Sequence, residues 1–197
     1  EATAAAPTPA AEGTPAAEEP AQPAPPAEAA QKAEALLPDF LETAEGAAVT
    51  TSSALSGKVV ALYFSAHWCG PCRAFTPKLA AAYEMATEDE LPFEVVFVSS
   101  DDSEEQQHSY MREMHGPWLR VPYGSPQRNA LKQRFGCFGA REQPGWPAVP
   151  RRSGIPALVV VGPSGRECVF DARDSVAADG PAAIARFVDE FSDDKWP

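Results

Sequence analysis

Three absences narrow what this chain can do. There is no basic surplus. Sixteen Lys and Arg stand against 28 Asp and Glu, a net charge of −12, so no broad basic face is available for nucleic acid or an anionic membrane. There is no apolar run near the roughly 20 residues needed to span a bilayer. Cysteine is scarce: four in 197 residues do not make a disulfide scaffold. The chain opens at Glu1 without a Met, as expected of a processed or cut N-terminus. It ends Asp194-Lys195-Trp196-Pro197, with no retention signal of the secretory pathway. The expected compartment is the cytoplasm or the interior of an organelle.

A fourth absence is local. Residues 1–35 contain fifteen Ala, seven Pro and six Glu, but no aromatic, Leu, Ile, Val or Met. Such a segment buries too little apolar surface to offset its ordering entropy, so a linker or low-complexity tail is expected there. The sharper alternative is a tether that docks the chain into a larger assembly. Globular composition begins at Leu36, and a single domain is expected over 36–197.

What the chain does contain is concentrated in Val59–Tyr83. The apolar run Val59-Val60-Ala61-Leu62-Tyr63-Phe64 reads as a strand buried on both faces. Ser65-Ala66-His67 turns the chain into Trp68-Cys69-Gly70-Pro71-Cys72, and Phe75, Leu79, Tyr83 and Ala86 follow at helical spacing. The CxxC therefore lies where a strand ends and a helix begins. A thiolate is the nucleophile of disulfide exchange, and the first turn of a helix offers unpaired N–H groups and positive dipole to hold one. Cys69 is placed to attack, and Cys72, one turn on, to resolve the mixed disulfide. Zinc would need four ligands. Cys137 and Cys168 form no second CxxC and the three His are scattered, so no metal is expected. Redox chemistry is the better reading.

Trp68-Cys69-Gly70-Pro71-Cys72 matches the thioredoxin active-site motif letter for letter. Phe64-Ser65-Ala66, Pro71-Cys72-Arg73, Phe75-Thr76-Pro77 and the Trp118-Leu119-Arg120-Val121-Pro122 segment resemble the tryparedoxin/nucleoredoxin branch of that superfamily. The likeness covers about residues 36–192. It implies a thioredoxin fold: an α/β domain whose central, mixed but mostly parallel sheet has an antiparallel edge and helices on both faces. It implies a thiol–disulfide oxidoreductase with no bound cofactor, which takes electrons from a small dithiol or a reductase and passes them to disulfide-containing proteins. The Gly70-Pro71 spacer resembles that of reducing members. By resemblance Trp68 is a lid and substrate contact, Ile155 and a cis-Pro156 face the CxxC and align substrate, and Arg73 is a positive neighbour. Plain core packing for Trp68 is the alternative reading.

Three departures from the family stand out. Tyr63 occupies the place where thioredoxins proper carry a buried Asp, and a tyrosine is a poor base near neutral pH. His67 replaces a small residue, either favouring a Cys69 thiolate as a cation or facing solvent as a spectator. Residues 136–154, with Cys137 and several Pro and Gly, intervene where the family passes almost directly to the Ile-Pro strand. A loop of this length is usually functional or disordered. Cys137 is expected either as an inert half-buried thiol, like Cys168, or as a regulatory or partner-linking one.

The remaining pattern is that of a small α/β domain. Leu36–Leu41 suggests a short helix or turn, and Ala47–Leu55 an edge strand or hairpin before a turn at Gly57-Lys58. Phe93–Ser99 is a second β run, so strand, helix and strand make a right-handed parallel unit. Ser103-Glu104-Glu105-Gln106 is a capping box that opens a helix to about Met114, with Asp101 and Asp102 as helix-start charges. Ser125-Pro126 starts a helix that Gly136 ends. Ile155–Val161, a turn at Pro163-Ser164-Gly165, an antiparallel return over Arg166–Asp171 and a last helix opened by Asp179-Gly180-Pro181 complete the chain. A second function stays open from the sequence: a structural or redox-regulatory subunit docked through the tail or the 136–154 loop.

Overall fold

The computed structural model describes residues 36–162, 166–191, 193, 195 and 196. The 1–35 segment and the Pro163-Ser164-Gly165 turn lie outside the described residues.

Two largely apolar strands, rich in Val, Phe and Tyr, form the centre. These are β3 (Val59–Ser65) and β4 (Phe93–Ser99), each buried along its full length. Helix α2 (Gly70–Glu88) joins them, and a helical crossover between adjacent strands makes them parallel, with Val59 opposite Phe93 and Ser65 opposite Ser99. The sheet runs outward on one side through β5 (Leu119–Arg120) to the hairpin of β1 (Phe40–Glu42) and β2 (Ala48–Thr50). On the other side it runs through β6 (Ala157–Val161) to β7 (Glu167–Val169). The remaining helices are α1 (Thr51–Leu55), α3 (Glu104–Met114), α4 (Pro126–Phe135), α5 (Arg173–Asp179) and α6 (Pro181–Glu190). Among the described residues no helix is long and apolar enough to cross a membrane.

The expectation of a mostly parallel sheet is corrected. Only β3–β4 and β4–β5 are parallel; β1–β2, β1–β5, β3–β6 and β6–β7 are antiparallel. The parallel pairs are those joined by a crossover helix. The antiparallel ones are two short hairpins, β1 beside β5, and β6, which returns beside β3 in the opposite sense. The N-terminal expectation also shifts. Residues 40–42 form a strand rather than a helix or turn, because Leu41 buries fully while its neighbours Phe40 and Glu42 face outward, a period of two. Of the expected edge strand or hairpin over Ala47–Leu55, only Ala48–Thr50 is strand, and Thr51–Leu55 is helix α1. Helix α5 also went unanticipated; Arg173–Asp179 carries one buried side chain, Val176, too little periodicity to read.

Strand alternation sorts the core into two layers. Val59, Ala61 and Tyr63 pack with Phe75 and Leu79 of α2, Tyr110 of α3 and Ile184 and Phe187 of α6. Val60, Leu62 and Phe64 pack on the other face with Leu131 and Phe135 of α4 and with Leu36, Leu37, Leu41 and Leu55. Each such side chain contributes about 1.5–3 kcal/mol when fully buried. Two-sided burial holds β3 rigid, and the functional segment is mounted on its C-terminal end.

Candidate active site

Past Ser65 the chain leaves the sheet and Cys69 becomes the N-cap of α2, in extended conformation with φ −88° and ψ 110°. Pro71 fits the first turn because its missing N–H and fixed φ cost nothing there. Cys69 and Cys72 are disulfide-bonded, with Cα atoms 5.2 Å apart. The Cys72 N–H donates to Cys69 Sγ at 3.3 Å. Once the pair is reduced, that contact and the helix dipole favour a thiolate on Cys69. Cys69 is 5% exposed and Cys72 is sealed at 0%, so the sulfur open to attack is that of Cys69.

The Ile155–Pro156 bond is cis, and the Ile155 carbonyl oxygen lies 3.6 Å from Cys69 Sγ. The strand begins only at Ala157, so Ile155 and Pro156 are a loop edge facing the dithiol rather than part of the sheet. Beside them is a shallow groove of about 270 Å³ lined by Pro71, Ala74, Phe75, Lys78, Pro156 and Arg173. Arg173 donates to the Pro156 carbonyl at 3.2 Å. Gly70 and Arg73 are exposed on the same helical turn.

Behind Cys72 the structure holds hydroxyls rather than a carboxylate. Tyr63 Oη is 2.8 Å from Thr76 Oγ1 and accepts from Ser65 Oγ at 3.0 Å. Tyr110 Oη is 3.0 Å from Ser65 Oγ and 2.5 Å from Thr76 Oγ1. Thr76 also donates to the Cys72 carbonyl at 2.8 Å, tying the network to the dithiol turn. Burial pushes the Tyr63 hydroxyl well above its ordinary range and raises that of Tyr110, so neither serves as a base near neutral pH. Only Tyr63 of this set was singled out in sequence.

Asp101 is more than a helix-start charge. It is buried, and its Oδ1 accepts the His67 N–H at 2.7 Å while Oδ2 accepts from Ser99 Oγ at 2.7 Å. Burial raises its carboxyl pKa, partly offset by those hydrogen bonds. It thus fastens the loop that carries the CxxC to the end of β4. The His67 ring stacks on Tyr110 with centroids 5.3 Å apart and reaches Glu113 at 3.1 Å. It does not line the groove beside the dithiol, and its ring contacts are with Tyr110 and Glu113. The capping box forms with one change: Ser103 Oγ accepts the Gln106 N–H, but Gln106 accepts from Asp102 N–H rather than from Ser103.

Trp68 is 39% exposed and held from several directions. Its indole N–H donates to the Ser100 carbonyl at 3.0 Å. The Arg141 guanidinium lies 3.6 Å over its ring. The 136–154 segment therefore packs against the active site, and its centre is a 3-10 turn, Ala140–Gly145. Neither Arg141 nor Gly139 carried a signal readable in sequence. Cys137 lies in the core, among Phe64, Leu131 and Phe135. It is fully buried, its thiol donates to the Phe135 carbonyl at 3.5 Å, and burial pushes its pKa up to about 12. That environment is the opposite of a reactive thiol's.

Comparison with known proteins agrees with this geometry. A family model described as Thioredoxin-like matches residues 57–167. Probable nucleoredoxin 1 of Arabidopsis thaliana is 40% identical over 139 residues, 71% of this chain. The chain spans only 21% of that protein's length. A thioredoxin from Wuchereria bancrofti superposes with a TM-score of 0.61 at 37% identity, covering 80% of this chain and 99% of that one. Tryparedoxin from Trypanosoma brucei superposes with a TM-score of 0.59 at 34% identity, covering 76% and 92%. With its dithiol at a strand-to-helix junction, facing a cis-Pro, the chain belongs to the thioredoxin-like family, in its nucleoredoxin/tryparedoxin branch.

Proposed function

We propose that this domain reduces protein disulfides. The observation that carries the reading is the placement of the two cysteines, with Cys69 the N-cap of the helix and 5% exposed and Cys72 one turn on and fully buried. Cys69 thiolate attacks one sulfur of a substrate disulfide, forming a mixed disulfide and releasing the other sulfur as a thiol. Cys72 then attacks Cys69 Sγ, releasing the second substrate thiol and leaving the Cys69–Cys72 disulfide. An external dithiol or a reductase returns two electrons by the same exchange run backwards.

Ile155 and Pro156 present a backbone edge on which substrate aligns; Trp68 and the groove at Pro71 and Phe75 supply apolar contact. Gly70 keeps the approach open, since a side chain added there would meet nothing within 4 Å. Arg73 lends positive charge beside the thiolate. Because Tyr63 and Tyr110 hold their protons, the Cys72 proton leaves to solvent or to the departing substrate thiolate. Docking into a larger assembly through residues 136–154 has less support. That segment's polar anchors are spent inside its own domain, as with Glu142 on Lys132 and the Gly139 N–H.

Dithiol-driven reduction of insulin disulfides tests the reading, with the intact chain beside Cys69→Ser and Cys72→Ser. The expected result is turnover in the intact chain, none in Cys69→Ser, and a trapped mixed disulfide in Cys72→Ser. A folded wild-type chain without turnover overturns it.

A further inference from the structure

The 136–154 loop is an ordered structure with its own anchors. At its base Gly136 adopts φ +63° and its carbonyl accepts the N–H groups of Arg152 and Ser153 at 2.9 and 3.1 Å. In its middle the Lys132 ammonium donates to Glu142 at 2.7 Å, and the other oxygen of Glu142 accepts the Gly139 N–H at 2.7 Å. Gln143 donates to the Trp146 and Val149 carbonyls, and Arg151 to that of Phe138. The Phe138 and Trp146 rings meet edge to face, 5.2 Å apart. A loop held at so many points presents its remaining side chains in fixed positions.

What it presents is a cradle for Trp68. A Cβ placed on Gly139 would lie 2.9 Å from the tip of the indole, so the backbone there fits the ring only as glycine. Arg141 covers the ring face at 3.6 Å, and its guanidinium donates to Asp102 Oδ1 at 2.8 Å. Asp102 stands next to Asp101, which holds the N–H of His67, the residue before Trp68. The loop and the dithiol turn are thus bridged through one side chain. The groove beside the dithiol, lined by Pro71, Phe75 and Pro156 among others, includes no residue of the loop.

We propose that Arg141 is a positioning residue that locks Trp68 against Gly139. Through it the 136–154 loop acts as a specificity element, walling one flank of the dithiol and confining disulfide substrates to the Pro71/Pro156 flank. The proposal rests on the reductase reading. Arg141 touches no reacting atom. Its effect runs through the order of Trp68, so it falls on substrate binding rather than on sulfur chemistry.

The test uses the full chain as wild type, Arg141→Ala, Arg141→Lys and Gly139→Ala, the last displacing the indole while leaving Arg141 in place. Insulin reduction is measured for KM and kcat, and the indole N–H signal of Trp68, assigned by its loss in Trp68→Phe, is followed by NMR. In Arg141→Ala the expected result is a KM for insulin raised about three- to tenfold, the scale of one exposed cation–π contact and one exposed ion pair. The kcat stays within about twofold, the indole signal shifts and broadens, Arg141→Lys restores part of both, and Gly139→Ala reproduces the KM change. An unchanged KM and indole signal in both Arg141→Ala and Gly139→Ala overturns the proposal, as does a loss confined to kcat. Should the wild type show no turnover, the reductase reading falls separately. The lock is then judged on the indole signal, and an unmoved signal refutes it.

Discussion

Acidification should destabilise this domain through one histidine before its carboxylates dominate. His115 packs among Phe97, Tyr110 and Trp118, with ring centroids 4.4, 4.3 and 5.2 Å away. Its Nδ1 accepts the Trp118 indole N–H at 3.0 Å, so the neutral ring carries its proton on Nε2, which is sealed from solvent without a hydrogen-bond partner although the residue as a whole is half-buried. Protonation would set an N–H against the Trp118 N–H. Burial, with smaller contributions from the charges of Arg120 and His67, lowers the pKa from 6.5 to about 3. The folded value lies below the unfolded one, so the unfolded chain takes up the proton first. Stability present above pH 6.5 is lost as pH falls toward 3. Between pH 7 and 4 the loss is about 2.5 pKa units' worth, roughly 3 kcal/mol. Asp101 acts with the opposite sign. Its raised pKa gives a contribution fully present below the unfolded value and lost as pH rises through the folded one, so it offsets part of the loss at the acid end. The assay is urea unfolding at pH 7 and pH 4, with NMR titration of the His115 ring carbon. A His115 that titrates near 6.5 in the folded chain refutes the reasoning.

Alkali tests the hydroxyl network. Tyr63, Tyr83 and Tyr110 have pKa values raised chiefly by burial, so stability held below pH 10 is lost as pH rises above it, and all three should ionise only with unfolding. Reversible ionisation of these tyrosines in the folded chain, followed by absorbance, would contradict that. Cys137 should resist alkylation at pH 8 under native conditions and react on unfolding, as read by mass spectrometry; rapid native labelling would show that its burial is not maintained. Gly136→Ala should cost about 1–3 kcal/mol in urea unfolding, because φ is +63° and the new Cβ would sit 2.6 Å from the Pro150 carbonyl oxygen. An unchanged midpoint would mean that the loop base relaxes freely.

The fold and the dithiol were legible because they rest on local rules. Two β-branched runs separated by one helical period specify a parallel pair, and a CxxC between strand and helix specifies its own electrostatics. Gly136 as helix terminator and the two-faced burial of Val59–Ser65 follow from the same kind of reading. The sheet's balance of directions was not legible, because β6 could join either edge in either sense until the intervening loop was placed. Asp101 looked like a surface charge at a helix start. Only the approach of the His67 N–H from another strand end buries it.

The sequence by itself determined the chemistry: which sulfur stands at the helix N-terminus, and which branch of the family the chain resembles. Cys137 shows the limit, since its letter is equally that of a reactive thiol or a core residue and burial alone decides. Arg141 shows it more sharply. Thirty-nine residues separate it from Asp102 and more from Trp68, and no periodicity links them. Tertiary structure decided that contact, because pairings between distant segments depend on how whole elements pack, which no local pattern encodes.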